Sequence, residues 1–164
     1  MVIIKWLELM KNIYKILMLL CVAFLSMSCG GKKGSDGPQV ASALVAEWHL
    51  VSVSGISSSA VPQVYISFAS DRTFEMYQKV GDVMRYRKYD GTYTVSGNVV
   101  AGKYSDGEDW GSEYAVSFDG ELMVMTAQNG SAEVCKYEKK ALSASDKANA
   151  EVVTKSEESS RRFL

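Results

Sequence analysis

The chain is short of proline and of histidine and has no paired set of cysteines, and each shortage narrows what it can be. Two prolines in 164 residues exclude a proline-rich or low-complexity chain, and 47% apolar residues with 13 glycines suit a body that folds. The single histidine, His49, leaves neither a His-based triad nor a His-rich metal site to build. Its neighbours place it on the surface or rim of a strand. Charge is also nearly balanced, with 18 basic against 19 acidic residues, so nucleic acid is not an expected partner. Of the three cysteines, Cys21 and Cys29 fall in or beside a discarded leader, which leaves Cys135 without an intrachain partner. Within Glu133-Val134-Cys135-Lys136-Tyr137 it reads as a small, buried, apolar strand residue. Aromatic residues are plentiful instead: three Trp and nine Tyr favour strands and binding surfaces alike.

Lys11 and Lys15, the apolar run Ile16 to Leu25, and the small residues Ser26 and Ser28 have the form of a secretion signal. That run is too short, and too soon followed by Gly and Lys, to span a membrane comfortably. Leu25-Ser26-Met27-Ser28-Cys29-Gly30 resembles the lipobox of bacterial lipoproteins. The resemblance implies cleavage before Cys29, a diacylglycerol on its sulfur and an acyl group on its amine. One acyl chain holds a protein only marginally at a bilayer, whereas two or three hold it firmly. The membrane is therefore an expected partner through Cys29, and the expected address is the cell envelope, at the outer membrane, with the periplasmic or cell-surface face left open. An ordinary signal peptide that leaves Cys29 free is the competing reading. Met10-Lys11-Asn12 reads as a more natural start than Met1.

Residues 1–28 are thus read as the signal peptide and 29–43 as the lipidated cysteine with its tether. Gly30 to Ala43 shows no apolar periodicity and is expected to be an unstructured leash, with Lys32 and Lys33 solvated or against anionic head groups.

Over residues 44–140 the pattern changes to alternation in short runs, which predicts antiparallel strands with one buried face. Strands are expected near Glu47 to Ser54, Gln63 to Ala69, Thr73 to Lys79, Val83 to Tyr89, Thr92 to Val95, Asn98 to Tyr104, Ser112 to Phe118, Glu121 to Thr126 and Ala132 to Glu138. Asp71-Arg72, Gly81-Asp82, Asp90-Gly91, Ser96-Gly97, Asp106-Gly107, Asp119-Gly120 and Asn129-Gly130 supply turns between them. Hairpins throughout, with no helical crossover, predict an all-β fold: an antiparallel up-and-down barrel of about eight strands, closed to hide its edges. Trp48, Leu50, Val64, Ile66, Phe68, Phe74, Met76, Tyr86, Tyr93, Val95, Tyr114, Val116 and Phe118 form the expected inner face. His49, Ser67, Glu75, Lys79, Arg85, Arg87, Thr92, Thr94 and Ser117 form the outer one. Met84, Met123 and Met125 read as gap-fillers, and Arg85, Arg87 and Lys88 as charges guarding a strand edge.

Ala46-Glu47-Trp48-His49-Leu50-Val51-Ser52-Val53 resembles the first strand of lipocalin-like domains, in which a Trp closes the barrel floor. Tyr65-Ile66-Ser67-Phe68, Asp71 through Gln78, Gly91-Thr92-Tyr93-Thr94-Val95 and Tyr104-Ser105-Asp106-Gly107 are similar to short lipocalin-like lipoproteins of Gram-negative gut anaerobes. Ala46 stands where lipocalins carry Gly, and Lys136, Lys139 and Arg161 are candidates for the cation that packs over the Trp. The resemblance implies the barrel, and about eight strands leave an interior either filled by side chains or just able to hold one small ligand.

The candidate ligand-binding residues are Trp48, Phe68, Phe74, Tyr93, Trp110 and Tyr114, and the expected ligand is small and either apolar or glycan-like. Trp110, flanked by tyrosines and carboxylates, suits a sugar or peptide contact at the barrel mouth; folding back as a lid on the core is its plainer role. Asp106, Glu108, Asp109 and Glu113 cluster nearby, but their spacing does not match a calcium loop, and no metal or other cofactor is expected. The polar tail, 141–164, is expected to be a loosely docked or partly disordered segment, with Ser143 or Ser145 as the cap of a helix running toward Glu158 that carries Ala148 and Val152 on one side. Phe163-Leu164 would tuck against the barrel or act as a short recognition tag, with burial favoured.

Two functions follow. The first is a lipid-anchored envelope lipoprotein whose barrel binds a small apolar or glycan-like ligand. The second is a packed barrel that serves as a scaffold and docks another envelope protein. No catalytic residues present themselves, so an enzyme is not expected.

Overall fold

The computed structural model describes residues 37–79, 83–153 and 162–164. The signal peptide, Cys29, the first part of the tether, Gly81-Asp82 and Arg161 lie outside the described residues.

Helix α1 (Gly37–Leu44) leads into β1 (Glu47–Val53), followed by β2 (Gln63–Phe68), β3 (Thr73–Lys79), β4 (Arg87–Ser96), β5 (Val99–Tyr104), β6 (Tyr114–Asp119), β7 (Leu122–Ala127) and β8 (Val134–Lys139). The sheet order is β3-β2-β1-β8-β7-β6-β5-β4, and a further β3–β4 pairing closes it into an eight-stranded antiparallel barrel. Every sequence neighbour is a sheet neighbour, as the hairpin signals require. Gly97 and Gly120 take positive φ in the tight turns β4–β5 and β6–β7, where a residue with a Cβ would be strained.

Four expectations about the strands need correction. Asp90-Gly91 is not a turn: β4 runs unbroken through it, and Gly91 is small because a Cβ there would stand 2.1 Å from the Lys103 carbonyl of β5. The change of start also reverses the side on which Tyr86 lies. Inward positions of β4 include Tyr89 and Tyr93, so Tyr86, three before Tyr89, packs outside with Tyr77 and Leu142. Met84, ahead of the strand, is 92% exposed and fills no gap. The basic run Arg87-Lys88 guards no edge either, since β4 pairs with β3, β5 and a short parallel strand, β9 (Glu151–Val152).

The last part of the tether is likewise a helix, not a leash. Val40 and Leu44, one turn apart on one face, are wholly buried in the barrel's core cluster, and Trp48 Nε1 donates to the Leu44 carbonyl at 2.9 Å. That bond satisfies one of the carbonyls left open at a helix C-terminus, so helix and floor tryptophan fix each other. Lys139 Nζ lies 5.4 Å from the Trp48 ring centroid and is the cation that packs over it.

Beyond β8 the chain straps the outer wall. Leu142 is buried, Ser143 caps the short helix α2 (Ala144–Ala148) by accepting the Asp146 N–H, and Lys147 pairs with Glu47 at 2.6 Å; α2 stops well short of Glu158, and Val152 lies in β9 and not on a helix. His49 stacks on Tyr65 at 4.4 Å on this outer wall and bonds to Glu138 at 3.0 Å, a bond that holds the exposed Glu138 carboxyl below its ordinary range.

Candidate functional site at the barrel mouth

The six candidate ligand residues do converge, all inside one cluster and all buried. The rings of Phe68, Phe74, Tyr93 and Trp110 fill the middle of the barrel. Phe68 meets Tyr93 edge-on at 5.0 Å, and Phe74 meets Trp110 at 5.1 Å and Tyr104 at 5.6 Å. Trp110 reaches this position because the chain after Tyr104 doubles back along β5. Tyr104 N–H donates to the Glu108 carbonyl at 2.8 Å and Trp110 N–H to that of Gly102 at 2.9 Å. Trp110 is therefore interior, as a core lid would be, and its ring is not a surface contact at the rim.

Open space remains at the two ends. Near the floor a cavity of about 530 Å³ is bordered by Trp48, Phe118, Leu122 and Lys139. At the mouth, where β5 and β7 end and β6 and β8 begin, a cavity of about 400 Å³ is bordered by Tyr104, Tyr114, Asn129, Ser131, Glu133 and the chain segment 162–164. Of the six candidates, Tyr114 borders the mouth and Trp48 the floor. Phe68, Phe74, Tyr93 and Trp110 border neither.

Just inside the mouth the wall turns polar. Cys135 Sγ donates to Glu133 Oε1 at 3.6 Å; burial and the Glu133 charge push the thiol up to about 12. Tyr104, Tyr114 and Tyr137 are also pushed well up, chiefly by burial. Neutral phenols and a neutral thiol provide hydrogen-bond donors at neutral pH but no nucleophile. Tyr137 Oη and Trp110 Nε1 are buried donors with no hydrogen-bond partner among the described residues. Among the described residues, no group of three or more His, Cys, Asp or Glu side chains could hold a metal ion.

A closed eight-stranded barrel, floored by a tryptophan under a preceding helix, agrees with the comparison of the chain to known families: residues 44–125 match the model of the lipocalin-like domain. The chain belongs to the lipocalin-like domain family. No curated protein and no solved structure matches it.

The sequence left several residues of this lipocalin-like mouth unremarked. Gln78 follows Phe74 and Met76 on the inner face of β3 and is 1% exposed. A polar residue at an inward step of an apolar alternation was the available signal. Tyr137, two residues from Cys135, carried the same signal on β8.

Proposed function

We propose that this protein is a lipid-anchored envelope lipoprotein whose barrel binds a small ligand at its mouth, and that the ligand is glycan-like rather than purely apolar. The carrying observation is the contrast between the filled, aromatic middle and the cavity of about 400 Å³ at the mouth, where Tyr104 and Tyr114 stand beside Asn129, Ser131 and Glu133. Rings beside amide, hydroxyl and carboxylate groups suit a hydroxyl-rich ligand, which needs apolar faces stacked and hydroxyls paired. Anchoring rests on the lipobox resemblance at Leu25 to Cys29.

Two measurements test the reading. Native mass spectrometry of the protein from its own envelope should find a defined saccharide-sized mass that mild denaturation removes. Titration with neutral oligosaccharides should saturate, and Tyr114→Ala should abolish the response. Neither an added mass nor a saturable titration would overturn it. Labelled palmitate should enter the intact protein and not Cys29→Ser.

The filled middle also favours a second reading, a packed scaffold that docks another envelope protein. Crosslinking in cells to one stoichiometric partner, with no bound ligand, would select it.

A further inference from the structure

The mouth already holds a peptide, supplied by the chain itself. The Arg162 side chain is 7% exposed and pairs with Asp106, which is 11% exposed. The guanidinium also lies 4.3 Å from the Tyr104 ring centroid and 5.6 Å from that of Tyr89. The Phe163 N–H donates to Gln78 Oε1 at 3.0 Å. The Tyr104 hydroxyl donates to the Leu164 carbonyl at 2.9 Å, and the Leu164 side chain is buried in the core cluster.

Simple burial of a tail would require only an apolar surface. Here the barrel provides a carboxylate and two aromatic rings for a cation, a buried amide for a backbone N–H, a phenol for a backbone carbonyl and a place in the apolar core for a side chain. These are the groups with which a protein reads an extended peptide. The Gln78 amide and the Tyr104 hydroxyl, on side chains that are both almost wholly buried, bond to backbone atoms of the segment.

We propose that the barrel mouth is a peptide-recognition site that selects an arginine two residues before an aliphatic residue, and that Arg162-Phe163-Leu164 is its resident ligand, exchangeable for a like segment from another chain. The inference rests on the reading that the mouth is the binding end.

The test uses a fluorescent, C-terminally amidated peptide, Ser-Ser-Arg-Arg-Phe-Leu, the sequence of residues 159–164. A tethered segment competes at an effective concentration of roughly millimolar, so the intact chain should bind the free peptide weakly. In the Arg162→Ala chain the resident segment competes less well, and affinity for the peptide should rise by about tenfold or more. Adding Gln78→Leu to Arg162→Ala should reverse that gain, and a peptide with Ala in place of its second Arg should not bind. Equal binding by the intact and Arg162→Ala chains, or by the two peptides, overturns the proposal.

Should Arg162→Ala fail to fold, fluorine NMR of the intact chain carrying fluorophenylalanine provides the readout. Excess unlabelled peptide should move the Phe163 resonance to its solvent position; a resonance that stays put overturns the proposal. Saccharide titration and native mass spectrometry of the intact chain are read separately. Failed peptide exchange beside a persistent saccharide response would remove this inference alone.

Discussion

The Trp110 indole occupies the space that a side chain at Gly102 would need: a Cβ there would stand 2.0 Å from the ring. Gly102 sits within β5, where glycine normally weakens a strand, and the interior ring is what its absent side chain admits. Gly102→Val should expel the indole or spread the barrel wall and destabilise the protein by about 1–3 kcal/mol. Urea unfolding reads the loss, and acrylamide quenching should show a newly accessible tryptophan. An unchanged quenching profile would mean that the ring does not depend on Gly102.

Tyr137 presents the opposite case, a polar atom whose removal should help. Its side chain is wholly buried and its hydroxyl has no hydrogen-bond partner among the described residues. Tyr137→Phe keeps the ring and removes a group that is costly to bury unpaired, so stability should rise by about 1 kcal/mol. Chemical denaturation measures it. A loss of stability would show that the hydroxyl is paired after all.

Strand periodicity carried most of the barrel, because a buried face forces alternation and a tight turn forces glycine or asparagine. It failed where a residue was chosen for a different reason. Gly91 resembles a turn residue but answers to the Lys103 carbonyl across the sheet, a contact that no local pattern contains. Val40 and Leu44 are too few to make a periodic signal in a stretch rich in small residues, and their burial comes from the barrel floor. Trp110 was legible as a choice between rim contact and core lid, and it was the small residue at Gly102, distant in the pattern, that decided it. Burial of Phe163-Leu164 was anticipated; the buried amide and phenol that receive their backbone were not, since long-range hydrogen bonds leave no spacing to read.

The helix before the barrel is open to a direct test. Leu44 is wholly buried beneath the floor while Val45 beside it is 40% exposed. Leu44→Ala should cost about 2–5 kcal/mol and perturb the environment of Trp48, whose indole donates to the Leu44 carbonyl. Val45→Ala should cost well under 1 kcal/mol, roughly the range of surface substitutions. Equal effects at both positions would mean that the helix is not seated.

Stability should fall on the alkaline side, and the sign follows from the groups inside the mouth. Cys135 is raised from an ordinary 9.0 to about 12, and Tyr104, Tyr114 and Tyr137 are raised from an ordinary 10.0. Above those ordinary values the unfolded chain releases protons that the folded chain keeps. Their contribution is therefore complete below about pH 9 and is lost as pH rises toward the folded values, by up to about 1.4 kcal/mol per pH unit for each fully buried group. Urea midpoints measured from neutral pH upward should decline beyond the unfolded thiol value, and the decline should start later in Cys135→Ala. The same burial makes Cys135 slow toward iodoacetamide at roughly pH 8 until denaturant is added. A thiol that reacts at the same rate in the folded and unfolded protein would place Cys135 outside the barrel and remove the basis for the pH slope.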